Sequence, residues 1–177
     1  MCPGGYVVPS SSSKGELVVN GMSYNARDGV NSNSAILVNV REEDFGSSLL
    51  SGVYFQKKFE KKAFELAGSN YFAPVQRFRD FLEGRKSQSF GKVSPTYEIG
   101  YSFADLNEIY PKELNDCIKK SILEMDKKVK GFAMDDAILT GIETRTSSPV
   151  RIVRDKDEYT SLSLDNLYPC GEGAGYA

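Results

Sequence analysis

Ser51-Gly-Val-Tyr-Phe-Gln-Lys-Lys-Phe-Glu-Lys-Lys-Ala-Phe-Glu-Leu-Ala-Gly68 decides the fold. Val53, Phe55, Phe59, Ala63, Phe64 and Leu66 fall on one side at helical spacing, and Lys57, Lys58, Glu60, Lys61 and Lys62 cover the other. Ser51 suits an N-cap, and Gly68 ends the run. The phenylalanines read as core. The lysines read as a solvated face, with an anion-binding patch as the alternative.

C-terminal to this helix, Pro74 to Leu82 reads as a second, shorter helix stopped by Gly84, with Val75, Phe78, Phe81 and Leu82 buried. Residues 84–102 are polar and irregular, and Ala104 to Tyr110 suits a single helical turn. The longest helix is expected from Pro111 to Gly131, with Leu114, Ile118, Ile122, Met125 and Val129 as its stripe. Cys117 flanks that stripe and reads as a packed, inert thiol.

The flanks have strand character. Tyr6 to Val8 and Glu16 to Asn20 suggest a hairpin within residues 1–22. Ala35 to Arg41 is apolar enough for a strand covered on both faces. Ala137 to Thr144 and Pro149 to Arg154 read as two more strands. The expected class is therefore α+β: a mixed or antiparallel β unit, 1–50 and 137–177, interrupted by an insertion of two to three helices over 51–136. Residues 1–177 would form one domain.

Composition narrows the chemistry. With 40% hydrophobic and 26% charged residues the chain is a globular type, and a formal charge of -2 gives no bulk attraction for nucleic acid or an acidic membrane. There is no long apolar run and no signal peptide, so a cytoplasmic location is expected. Cys2, Cys117 and Cys170 form neither a disulfide framework nor a zinc pattern. The chain has no histidine, which excludes a Ser-His-Asp triad, a Cys-His dyad and a histidine base from within it. A bound cofactor or residues outside the chain must supply most of any chemistry.

Three stretches remain as site candidates. The polar loop 23–34 carries Asn25 and Arg27, and is either a solvated connection or the lining over a ligand. Thr144-Arg-Thr-Ser-Ser-Pro149 places Arg145 among the hydroxyls of Thr146 and Ser147, a donor cluster suited to a carboxylate or phosphate; the alternative is a hairpin in which Arg145 pairs with Glu143 or an aspartate. Leu167-Tyr-Pro-Cys-Gly171-Glu-Gly-Ala-Gly-Tyr-Ala177 is a glycine-rich loop in which a backbone can turn tightly or approach a ligand. Asp135-Asp136 lacks a third ligand and reads as a cap or turn, so no metal site is expected.

Cys2-Pro-Gly-Gly-Tyr-Val-Val-Pro9, Val19-Asn-Gly-Met-Ser-Tyr-Asn-Ala-Arg-Asp-Gly29, Phe72-Ala-Pro-Val-Gln76, Leu139 to Arg151 and Leu167 to Ala177 together resemble the bacterial FAD-dependent dehydrogenases related to the HI0933-like flavoproteins. That resemblance implies an oxidoreductase whose flavin carries the reaction. It also implies that this chain is the substrate or cap domain of a larger flavoprotein. The Rossmann unit that binds the ADP half of FAD would lie elsewhere in the same polypeptide. Gly171, Glu172, Gly173, Ala174 and Gly175 would touch FAD, with the Glu172 carboxylate accepting from flavin hydroxyls. Arg145, Thr146 and Ser147, with Arg27 and Asn25, would face a small-molecule substrate. The abrupt start at Cys2 and the stop at Ala177 are expected of such a piece, which alone would bind FAD weakly and be inactive. A stand-alone ligand-binding or interaction module is the alternative.

Overall fold

The computed structural model describes residues 1–176; Ala177, the end of the glycine loop, lies outside the described residues. The chain forms two compact units, one of residues 1–39 and 57–144, the other of 40–56 and 145–177. The class is α+β, as expected.

In the first unit, β1 (Cys2–Pro3) pairs antiparallel with β4 (Ser32–Asn33), and β2 (Gly5–Pro9) forms a hairpin with β3 (Val19–Ser23). The hairpin is real, but its second strand starts three residues later than the apolar run suggests. Leu17 and Val18 are buried without a ladder because their N–H groups are satisfied elsewhere. Leu17 donates to the Glu60 carbonyl at 3.0 Å and Val18 to the Ser11 hydroxyl at 2.9 Å.

Asn33 fastens the loop 23–34 to this hairpin. Its amide donates to the carbonyls of Tyr6 at 2.9 Å and Met22 at 3.2 Å. A Cβ on Gly21 would come within 2.9 Å of that amide nitrogen, so close approach requires glycine there. Arg27 holds a left-handed backbone (φ 52°) and donates its N–H to Tyr24, while Tyr24 stacks edge-on against Tyr6 at 5.2 Å.

α1 (Glu42–Phe45) and the start of α2 (Ser51–Leu66) belong to the second unit, and the remainder of α2 to the first. α2 is the helix expected over this stretch, but Glu60, expected on the solvated face, is buried. Phe59, Ala63 and Ala67 are buried, and Gly68 (φ 100°) follows the end. The lysine face is partly engaged: Lys57 pairs with Glu16 at 2.9 Å and Lys62 donates to the Glu108 carbonyl at 2.6 Å.

The main correction concerns residues 73–83. Instead of one helix, β5 (Ala73–Arg77) precedes a short α3 (Phe78–Glu83). β5 is the central strand of a three-stranded sheet, parallel to β6 (Tyr101–Phe103) and antiparallel to β7 (Ile138–Thr140). Residues 73–76 are all buried, so both faces are covered and the run shows no period to distinguish strand from helix. Pro74 fits because its carbonyl, which accepts from Gly141 N–H at 2.9 Å, is the only ladder group it has to offer. Val19 N–H donates to the Ile142 carbonyl at 2.8 Å and so ties the hairpin to the segment after β7.

α4 (Lys112–Asp126) stops five residues before Gly131, because the Asp126 carboxylate accepts from the N–H groups of Gly131 and Ala133 and closes a turn. Those bonds, from Ala133 first, hold its carboxyl below the usual range. The buried row of α4 runs through Asn115 and Ile122, with Ile118 half-buried; Met125, Val129 and Cys117 are exposed, so Cys117 is not the packed thiol expected. Two predicted strands are absent. Residues 35–41 and 149–154 find no ladder partner beyond a single bridge from Arg154 to Ser161, and Leu37, Ile152 and Val153 remain exposed.

A buried polar cluster braces β5 and α3. Gln76 donates to the Arg85 carbonyl at 2.9 Å and to Asp105 at 3.1 Å, and accepts from Leu106 N–H at 2.8 Å. Asp80 is fully buried; it accepts from Ser87 at 2.6 Å and Arg77 at 2.9 Å, and Arg85 lies 2.5 Å from its other oxygen. Burial pushes the Asp80 carboxyl up, but the bonds from Ser87 and Arg77 and the two arginine charges outweigh it, holding it below the usual range. A depressed carboxyl stabilises the fold above the unfolded value and loses that contribution as pH falls through the folded one. Asp80→Asn is expected to cost about 3–5 kcal/mol at pH 7. In urea titrations the gap between wild type and variant should narrow below about pH 4.

Candidate cleft of the second unit

In the second unit the segment after Thr144 is shaped by contacts from the start of α2. Gln56 donates to the Ser147 carbonyl, and a Cβ on Gly52 would lie 3.0 Å from the Pro149 ring. Ser148 turns its hydroxyl onto the Val150 carbonyl at 2.7 Å. These contacts lay residues 147–151 down as one wall.

The glycine loop forms the other. Gly171 (φ 94°) and Gly175 (φ 93°) flank a 3-10 turn over Glu172–Ala174, closed by Ala174 and Tyr176 N–H donating to the Gly171 carbonyl. The Gly173 carbonyl accepts from Ile152 N–H at 2.7 Å, which joins the two walls. A Cβ on Gly173 would meet the Ser148 hydroxyl at 2.8 Å and the Val150 carbonyl at 3.0 Å. Glycine is therefore needed at 173 for close approach rather than for its backbone angle. Arg154 secures the chain on either side of the turn, donating to the Pro169 carbonyl at 2.6 Å and to the Tyr176 carbonyl. The loop is not packed into a core; its residues are exposed or half-buried.

Between the walls lies an open cleft of about 390 Å³, lined by Ser147, Ser148, Arg151, Glu172 and Gly173–Gly175, with Pro149 and Val150. It offers hydroxyls, one guanidinium, one carboxylate and bare backbone. Such a set suits a ligand carrying both hydroxyl and anionic groups. Of the residues expected at a site, Ser147, Glu172, Gly173, Ala174 and Gly175 line this cleft, and Gly171 begins its turn. Arg145 and Thr146 are exposed and lie outside the lining, and Arg27 and Asn25 belong to the first unit, both exposed. Ser148 belongs to the Thr144–Pro149 candidate stretch, whereas Arg151 and the anchoring Arg154 are additions that the sequence alone did not single out. Residues 149–154 read there as a strand, which hid Arg151 and Arg154. Among the described residues no His, Cys, Asp and Glu group could hold a metal ion, and no helix is long and apolar enough to cross a membrane.

These features define a chain of α+β class whose second unit brings a glycine loop and a hydroxyl segment together around one open polar cleft. Residues 1–146 match the family described as FAD-dependent protein, C-terminal domain-like, and the chain belongs to that family. It is also 53% identical over 178 residues to an uncharacterized protein of Clostridium beijerinckii (strain ATCC 51743 / NCIMB 8052), an alignment covering 100% of this chain and 33% of that protein. The chain thus spans about a third of the length of the curated relative it matches. The family match ends just before Ser147, whereas the alignment to the relative runs through the cleft.

Gly173→Ala is expected to break the junction of the two walls. Amide exchange at Ile152 should accelerate, and the added Ser148→Ala substitution, which removes the nearest clashing atom, should recover part of the protection.

Proposed function

We propose that the chain serves as the substrate- or cap-type domain of a FAD-dependent oxidoreductase of the dehydrogenase kind, akin to the HI0933-like flavoproteins. Its cleft receives the ribityl and ring end of the flavin. The observation that carries this reading is the meeting of Ser147 to Arg151 with Glu172 to Gly175 around one cleft. Its volume is at the lower end for small-molecule sites, about 300–1,000 Å³, which suits part of a dinucleotide rather than the whole. The family supports FAD in the parent protein. The ADP half would be held by a Rossmann domain of the same polypeptide.

When bound, the isoalloxazine ring supplies the electron or hydride transfer. This chain's residues then bind and orient. Glu172 accepts hydrogen bonds from flavin hydroxyls, and the 3-10 turn brings bare backbone at Gly173 and Gly175 against the ligand without side-chain interference. Arg151 offers a fixed positive charge and a planar donor fork to an anionic group. Ser147, with Arg145 and Thr146 beside it in the chain, supplies hydroxyl and guanidinium donors for a small-molecule substrate. Arg27 and Asn25, exposed on the first unit's polar loop, offer a guanidinium and an amide to a ligand of that unit's own. With no histidine in the chain, any histidine that moves a proton would come from elsewhere in the parent protein.

Lacking the pyrophosphate contacts, the chain alone should bind FAD with a Kd on the order of 1 mM and show no turnover. At millimolar FAD, amide NMR shifts should move at residues 147–151 and 171–175. Glu172→Gln, which forfeits a charge-assisted acceptor worth about 1.5–3 kcal/mol, should abolish them. Shifts confined to other residues, or none, would sink the proposal.

A further inference from the structure

The second unit has almost no interior. Among its described residues only Gly52 is buried, and the buried hydrophobic core of the chain belongs wholly to the first unit. Its apolar side chains are instead exposed: Leu49 86%, Val153 60%, Leu162 65%, Leu164 62%, Tyr168 62% and Tyr176 64%. A single exposed leucine is ordinary, but a unit in which every large apolar residue stays at least partly exposed is not. So short a unit cannot offset its ordering entropy without burying apolar surface somewhere.

The backbone shows the same incompleteness. Among the described residues, 149–170 form no ladder beyond the bridge of Arg154 with Ser161; their remaining bonds to one another are local turns at Asp155 and Ser161 and the anchor from Arg154 to the Pro169 carbonyl. Yet the segment is not designed for water. Leu162, Leu164 and Leu167 are all exposed, spread along a stretch that bends and turns over residues 162–166 instead of folding them inward.

We infer that the apolar residues of 150–168 form a docking surface covered by another part of the same, longer polypeptide: the FAD-carrying portion. The identity of that occupant rests on the proposed function. Two observations favour it over a separate partner. The relative aligned over the full chain is about three times as long, since the alignment covers 33% of it, and the family is that of a C-terminal domain. The exposed segment also runs directly into the cleft at both ends, through Val150 and Arg151 on one side and Glu172 on the other. A domain that delivers a flavin to this cleft therefore passes over these leucines, and covering them aligns Glu172 with the cofactor.

Hydrogen exchange compared between this chain and the full-length Clostridium beijerinckii relative tests the inference. In this chain amides of 150–168, apart from the hydrogen-bonded Ile152, Asp155 and Ser161, should exchange at close to free-chain rates at every protein concentration, while β5 and α4 stay protected. In the full-length relative the aligned segment should exchange at least about tenfold more slowly, and this protection should persist after FAD is stripped out. Equal rates in the two proteins would overturn the inference. So would protection in this chain alone, which would mean the segment is covered within the chain, or protection that rises with its concentration, which would mean a second copy covers it. Protection in the relative that vanishes with FAD would also overturn it, because the flavin and not polypeptide would then be ordering the segment. Failure of the flavin-contact reading shows separately, as FAD-induced shifts that bypass residues 147–151 and 171–175.

Discussion

The burial of Ala73 to Gln76 on both faces is the constraint on which the first unit depends. A strand covered on both sides must find partners for every polar group it carries, including those of its side chains. Gln76 is the test case. Its amide is wholly buried and is committed to three bonds reaching the Arg85 carbonyl, Asp105 and the start of the 3-10 turn at Leu106. One side chain thereby fixes the return of the chain after α3 and the approach to α4. Asp80 extends the same logic with charge, since two arginines and a serine close around its carboxylate.

How much of this was legible follows from where the physical signal was redundant. α2 and α4 carry a helical period with lysines opposite, and both were readable to within a few residues at their starts. The hairpin was readable because valines flank a turn, though its register was not: the Ser11 hydroxyl and the Glu60 carbonyl satisfy the backbone of Val18 and Leu17, and a carbonyl as distant in sequence as that of Glu60 leaves no local mark. β5 was misread because its residues are buried on both sides and so show no period of two, and Pro74 fits the first turn of a helix as well as a short strand. The runs at 35–41 and 149–154 failed for the opposite reason. Apolar character was present, but no neighbouring strand exists to pair with it.

The cleft was half legible. Glycines at 171, 173 and 175 announced a backbone feature, and the hydroxyls after Thr144 announced a donor cluster, yet nothing in the sequence said that they meet. They meet because Gly173 allows its carbonyl to reach Ile152 while its missing side chain leaves room for Ser148. The roles of the two walls differ accordingly. One presents side chains of fixed chemistry, the other presents backbone, and among the described residues the charges along the lining are Arg151 and Glu172.

Asn33 carries a liability of a chemical kind. Its amide nitrogen donates to two carbonyls, those of Tyr6 and Met22, and sits against Gly5 and Gly21. Its successor in the chain is Ser34, a small residue that leaves the asparagine open to hydrolytic ageing. Deamidation there would replace a donor by a carboxylate, which when ionised has only acceptors to offer. Two carbonyl oxygens would then face a negative charge with no proton between them. One of the links between the hairpin and the polar loop is thus a bond that time can invert, leaving the β1–β4 ladder and the Gly5 N–H on the Asn31 carbonyl to hold the loop.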